Sequence, residues 1–493
     1  MNEQDLLDRE APGGAPARDP EAAQRALVRV QHVLDKQRRV EALVHRDATP
    51  AEDRKPLVEQ LVQRQHITEL RNILDRLHPA DIAYILEALP LEDRLVVWDC
   101  VKADRDGEIL MEVNDAVRET LIASMDHEEL VDAVEGLEAD EIAHIADDLP
   151  ADVVEEIQEG LSAEERAQLR ASMSYPDDSV GALMDFEMIT IREDVTLEVV
   201  LRYLRRFDEL PSQTDQLFVV DRDEKLLGVL PVNALIVNDP DVLVERVMRP
   251  PAVKLLQHEK ADEAASAFER YDLVSAPVVD TNERLVGRVT VDEVLDFVRA
   301  SGEETMRAQA GLRAEEDIFA SVWDSFKNRW AWLAINLVTA FIASRVIGAF
   351  EGTIEKLVAL AALMPIIAGI GGNSGNQTIT MIVRALALGQ VQQESARVLL
   401  RKEIGVAMVN GLIWGSLLGF VAWWLYRSVA LGAVMTAAMM LNLIVAATVG
   451  VAVPLLRQRL GYDPAIGSSV LITAVTDSGG FFIFLGLATL FLL

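Results

Sequence analysis

Apolar and polar positions change their spacing abruptly about two thirds of the way along the chain. Beyond residue 330, apolar residues run almost unbroken in five stretches, about 330–350, 354–383, 402–426, 429–456 and 465–493. Each approaches or exceeds the roughly 20 residues a helix needs to cross a bilayer. Five such stretches with almost no polar segment between them predict a five-helix transmembrane domain over 330–493, not the buried core of a soluble protein. Before this point the spacing is amphipathic. From 21 to 183 apolar residues recur at helical intervals in short segments punctuated by Pro or by an acidic start. Two of these segments match, Leu77-His78-Pro79-Ala80-Asp81-Ile82-Ala83-Tyr84-Ile85-Leu86 and Leu137-Glu138-Ala139-Asp140-Glu141-Ile142-Ala143-His144-Ile145-Ala146. Both carry on to a Leu-Pro stop. A short helix cannot bury its apolar stripe alone, so the repeat predicts an all-α helical solenoid.

Between 184 and 300 the period shortens to that of strands. Leu217-Phe218-Val219-Val220-Asp221, a turn at Glu224-Lys225 and Leu226 to Leu230 form one unit. Ala276-Pro277-Val278-Val279-Asp280, a turn at Asn282-Glu283 and Leu285 to Thr290 form another about 60 residues on. Helical periodicity flanks each unit. The pair resembles tandem α/β cystathionine-beta-synthase (CBS) domains, at 184–245 and 246–300. In that family a hydroxyl and an Asp after the Gly-bearing strand hold a ribose. The first copy here has neither, and the second offers Thr290 and Glu293, a partial match that makes ATP a weak candidate ligand. A charged helix follows over 291–329, with Asp292, Asp296 and Glu303 near one face and Glu293 and Glu304 at its margin.

Composition sharpens the division. Only seven of the 79 Asp and Glu residues lie beyond residue 320, although the whole chain is at −33. An acidic soluble region repels nucleic acid and attracts cations. The single cysteine, Cys100, excludes an internal disulfide. Residues 1–20, charged and rich in Ala, Gly and Pro, predict a disordered tail, and no targeting segment opens the chain. With a cytoplasmic N-terminus, Lys327, Arg329, Arg384, Arg397, Arg401, Lys402, Arg457 and Arg459 fall inside, and Arg345, Lys356 and Arg427 fall outside. That bias follows the positive-inside rule and, over five crossings, brings the C-terminus outside.

Two polar features interrupt the apolar stretches. Pro365 precedes Gly369-Ile370-Gly371-Gly372-Asn373-Ser374-Gly375-Asn376-Gln377, where Asn373, Asn376 and Gln377 offer carbonyl oxygens to a cation or its water shell. Asp477, in Thr473-Ala474-Val475-Thr476-Asp477-Ser478-Gly479-Gly480, is singled out as the acid embedded among apolar residues. A charge there costs about 3 kcal/mol or more and belongs on a polar path.

On these motifs the chain resembles the MgtE-type magnesium channel/transporter family along nearly its whole length. The resemblance implies an acidic helical N-domain, paired CBS domains, a connecting plug helix and five membrane helices. It further implies a homodimer in the plasma (inner) membrane, with a pore at the dimer interface where Asp477 holds hydrated Mg2+. Asp262 and Asp272 match regulatory acids of the second CBS domain, and Glu293, Asp296 and Glu304 match plug-helix carboxylates. Ser301 replaces an acid found in some relatives, with Glu303 beside it, and Asp463 matches an acid at the cytoplasmic entrance. The implied activity is Mg2+ flux that closes at high cytoplasmic Mg2+ and opens at low. Mn2+, Co2+ or Ni2+ would also suit such oxygen-rich sites. A secondary active transporter coupled to protons or Na+ is the alternative, and a nucleotide-sensing membrane receptor a more distant one. No Walker motif or Ser-His-Asp pattern points to an enzyme, and all seven histidines precede the membrane stretches.

Overall fold

A computed structural model describes residues 22–46, 55–207, 210–312, 316–387, 396–462, 464 and 466–493. They form two units, one running to Val294 and including Glu316–Ala320, the other comprising Leu295–Glu315 and Ser321–Leu493. The predicted tail at 1–20 and Asp463 lie outside the described residues.

The first unit begins with short helices whose boundaries are written in the sequence. Pro79 occupies the first turn of Pro79–Glu87, behind His78, whose ring accepts from the Ala80 amide. Asp126 and Glu129, and Ser162 and Glu165, close reciprocal capping boxes. The two Leu-Pro stops are also starts, because Pro90 and Pro150 are the caps of Leu91–Trp98 and Ala151–Gly160. Alternate helices stack: Ala22–Arg46 on Pro79–Glu87, then Asp106–Glu112, His127–Glu135 and Ala151–Gly160 in turn. The matched positions of the repeat, Ile82 with Ile142 and Ile85 with Ile145, all enter one core, as does Cys100.

Arg94 is fully buried in this helical stack. Its guanidinium donates to the carbonyls of Leu86 at 2.8 Å and Leu89 at 3.0 Å and to Asp317 Oδ2 at 2.6 Å, which ties the 316–320 segment to the helices.

Each α/β repeat is a three-stranded sheet. Strand β1 (Thr190–Arg192) runs parallel to β2 (Gln216–Val220), which pairs antiparallel with β3 (Leu226–Pro231). The second repeat copies this with β4 (Leu255–Leu256), β5 (Ser275–Val279) and β6 (Leu285–Thr290). Even the register shift recurs, at Val219/Val220 and Val278/Val279. The sheets meet through their turns: the Leu226 amide donates to Glu283 O at 3.1 Å and the Leu285 amide to Glu224 O at 3.0 Å. Phe218, Val220, Leu226, Val279 and Leu285 form a core shared by the two repeats.

The charged helix bridges the division between the units as Val291–Ala310, and Gly311 ends it in a left-handed conformation, φ +81. In the second unit, Ala308 from the end of this helix packs with Ile379, Val383 and Ile472. The expected five-helix transmembrane domain is corrected to four. Among the described residues, Val322–Ala349, Ala396–Tyr426, Val429–Arg459 and Ser468–Phe491 are long and apolar enough to cross a membrane. The stretch expected at 354–383 does fold as a 29-residue helix, Ala359–Ala387, but is not one of the four. The glycines, amides and Pro365 that marked it for function dilute its apolar character. An outside C-terminus followed from an odd number of crossings and loses that support. Val429–Arg459 is the central helix, packed against Ala396–Tyr426, Ala359–Ala387 and Ser468–Phe491. Gly411, Gly415 and Gly419 let Ala396–Tyr426 approach it closely, and Thr436 Oγ1 donates to Gly415 O at 3.0 Å.

Candidate functional site

The two polar motifs of the membrane unit come together. Ala359–Ala387 and Ser468–Phe491 run antiparallel along a seam of small residues. Gly372 faces Thr476, Gly375 faces the Ile472 side chain, and Ser469 Oγ donates to Asn376 Oδ1 at 3.1 Å. The partners step down Ser468–Phe491 at intervals of four and three residues as they step up Ala359–Ala387 from Gly372 to Asn376, which is antiparallel helix packing in fixed register. Thr476 is fully buried and turns its hydroxyl back to Ile472 O at 2.8 Å. Asp477, next to it, is half-buried.

Beside the seam lies a cavity of about 910 Å3 lined by Asn373, Asn376, Gln377, Thr380, Met381, Arg384 and Ala385. These residues recur at intervals of three and four, so they form one face of the Ala359–Ala387 helix. The three amides foreseen as a group are thus brought together on one wall. Asp477 follows Thr476, which faces Gly372 in the seam, and does not line this cavity.

The other expected site residues are more dispersed. Asp262 and Asp272 are exposed at opposite ends of Ala261–Tyr271, roughly 15 Å apart along the axis, so a single small ion does not join them within one chain. Asp272 caps that helix in a left-handed conformation, φ 51. It also lines a small cavity of about 110 Å3 with Asp215, Gln216 and Ser275. Neither Thr290, buried at the end of β6, nor Glu293 lines that cavity. Asp292 accepts from Gln213 Nε2 at 2.8 Å, Glu303 pairs with Arg299 at 3.6 Å, and Glu293, Asp296 and Glu304 are exposed.

Three features escaped the sequence reading. Glu138, Asp140 and Asp185 bring carboxylate oxygens within 4.8 Å of one another. Burial, reinforced by neighbouring acids, pushes Glu138 up to about 8 and Asp140 up to about 7. Burial also raises Asp185, against the opposing pull of Arg288, whose Nε donates to it at 2.8 Å. The acidic start of the second helical repeat was visible in the sequence, whereas its meeting with Asp185 is tertiary. Glu403, at the charged edge of its apolar stretch, is buried and accepts from Thr378 Oγ1 at 3.4 Å, with Lys402 also at 3.4 Å. Asn442, fully buried mid-helix in Val429–Arg459, was hidden as a lone amide in an apolar run.

Comparison with known proteins agrees with this layout. Residues 364–487 match a family profile described as a divalent cation transporter (MgtE), residues 77–178 match the MgtE intracellular N domain, and 180–238 and 244–300 match the CBS domain. The chain is 31% identical over 454 residues to the magnesium transporter MgtE of Thermus thermophilus, covering 88% of this chain and 98% of that protein. It is 28% identical to the Bacillus subtilis protein of the same name, covering 88% and 96%. Among solved structures, the cytosolic domain of the Mg2+ channel MgtE in complex with ATP is 31% identical, with a TM-score of 0.44, over 48% of this chain and 98% of that one. The chain spans the membrane more than once, its N-terminal domains are cytoplasmic, and it belongs to the MgtE family of magnesium transporters.

Proposed function

We propose that this chain passes Mg2+ across the membrane as a channel/transporter that closes when cytoplasmic Mg2+ is high and opens when it falls. One observation carries the reading: the amide-bearing face of Ala359–Ala387 is locked in register with the helix that carries Asp477. Mg2+ sheds its water reluctantly. A wall of Asn373, Asn376 and Gln377 oxygens beside one carboxylate holds a hydrated ion without stripping it. Asp477 supplies the attraction, and the amides replace the outer hydration layer.

The cavity is walled by one helix and open on one side, which favours a homodimer whose second copy supplies the facing wall. Disulfide cross-linking of a Thr380→Cys variant in membranes tests that arrangement. Asp262, Asp272, Asp292, Glu293, Asp296, Glu303 and Glu304 are the regulatory candidates, and Asp463 is the entrance candidate. Ions that bind these acids better in the closed state hold it closed. The matched CBS pair supports ATP as a second cytoplasmic ligand, which a Thr290→Val variant would bind more weakly. Placement in the plasma (inner) membrane follows the family, and an outer C-terminus rests on the basic-residue asymmetry alone, read by labelling a cysteine added after Leu493.

The decisive experiment is Mg2+ uptake into vesicles holding the purified protein, with internal Mg2+ and ATP varied separately and Mn2+, Co2+ and Ni2+ run in parallel. Uptake that internal Mg2+ suppresses is the expected result; Mg2+ uptake indifferent to Asp477→Asn would refute the assignment of that carboxylate.

A further inference from the structure

Asn442 has no counterpart in the transport reading above, and its surroundings are built around it. It is fully buried on the central helix of the membrane unit. Its Nδ2 donates to Ile367 O on Ala359–Ala387 at 3.0 Å. This bond fixes which end of the amide is nitrogen, since the flipped amide would set oxygen against oxygen. Two glycines make room for it. A methyl at Gly371 would overlap the Asn442 nitrogen, and one at Gly480 would stand 2.8 Å from it. Gly371 lies on the helix of the amide wall, two residues before Asn373. Gly480 lies on the opposite helix, three residues after Asp477 and so on the same side of that helix. One amide is therefore in contact with both helices of the seam where their polar groups lie. Its Oδ1 finds no donor among the described residues. A leucine of similar size would avoid the cost of burying that oxygen unpaired.

We propose that Asn442 is a positioning residue: wedged between Gly371 and Gly480 and bonded to Ile367 O, it sets the separation of the helices carrying Asn373 and Asp477, and hence the fit of the site to a hydrated Mg2+. The inference rests on the transport reading.

Its test separates positioning from space filling. Asn442→Ala, Asn442→Leu, Gly371→Ala and the double variant Gly371→Ala/Asn442→Ala are purified, and each is measured for thermal midpoint and for Mg2+ uptake into vesicles. Asn442→Ala and Asn442→Leu are expected to raise the half-saturating Mg2+ concentration about tenfold, the equivalent of one buried hydrogen bond, with maximal uptake within about twofold of the parent. In the double variant the methyl added by Gly371→Ala enters the space the amide leaves. That variant is expected to recover the thermal midpoint lost in Gly371→Ala but not the Mg2+ affinity. Recovery of both would show that Asn442 only fills space and would overturn the proposal, as would unchanged half-saturation in Asn442→Ala or Asn442→Leu. Should Asn442→Ala not fold, the double variant decides by the same criterion. Parent vesicles without Mg2+ uptake would remove the transport reading and this inference with it; parent uptake with indifferent variants would remove this inference alone.

Discussion

Single side chains in this protein do two different jobs with charge, and pH and mutation separate them. Arg94 is a buried guanidinium whose partners are two carbonyls, the Thr120 hydroxyl and Asp317. Removing one member of a buried pair strands the other, at about 3–5 kcal/mol, so Arg94→Ala should lower the thermal midpoint of the cytoplasmic region sharply. An exposed pair such as Lys327 with Asp324 should contribute little on removal. The cluster of Glu138, Asp140 and Asp185 acts in the opposite sense. Glu138 and Asp140 are raised to about 8 and about 7 in the folded state, first by burial and then by neighbouring acids, against roughly 4 when unfolded. The folded state therefore holds these protons more tightly. Their contribution is fully present below about pH 4 and is lost as pH rises to about 8. Thermal melts from pH 5 to pH 8 should show a falling midpoint, and Glu138→Gln should flatten that fall. At this scale the sequence was readable where chemistry was dense, as in Asn373 to Gln377, and silent where one polar residue sits in an apolar run. Nothing in the string around Asn442 tells a seam contact from a tolerated amide, because its meaning comes from glycines about 70 and 40 residues away in sequence.

Elements were legible where they are amphipathic and punctuated. The Leu-Pro repeats and the paired hairpins follow from local preferences of Pro, Gly and side-chain alternation, whereas the charged helix expected over 291–329 stops at Ala310, before Gly311 in its left-handed conformation. The membrane elements were less so. Length and hydropathy treat Ala359–Ala387 as one more crossing, yet the polar face that makes it a candidate site removes it from the set of four apolar helices. A helix that lines a polar path and a helix that faces lipid are selected for different things, and a single hydropathy scale cannot favour both. Two predictions belong here. Replacing Gly415 by Leu would force apart the Ala396–Tyr426 and Val429–Arg459 helices, since even a methyl there would stand 3.0 Å from Thr436 O. Detergent-solubilised protein carrying it should aggregate or melt earlier. On Val291–Ala310, neutralising Glu293, Asp296 and Glu304 together should leave uptake less suppressed by internal Mg2+. Suppression equal to that of the parent would remove these acids from the gate.

Across the whole molecule, acidity and transport are held by separate parts of the chain. The acidic excess behind the net −33 lies wholly before residue 321, beyond which Lys and Arg outnumber Asp and Glu, while the seam itself depends on three amides, one carboxylate and the glycines between them. Ionic strength should therefore act mainly on regulation. Raising KCl from about 0.05 to 0.5 M shortens the screening length from about 14 to about 4 Å and should weaken suppression by internal Mg2+ more than it lowers maximal uptake. The seam has one more consequence. Its two strips of small residues are separated in the chain by two long apolar helices, and the strip bearing Asp477 is made only after both of them. A nascent chain already threaded into the membrane thus has one wall of a passage and no second. A chain cut short before Ser468 lacks Asp477 and its strip, and vesicles holding such a protein should take up no Mg2+ above background.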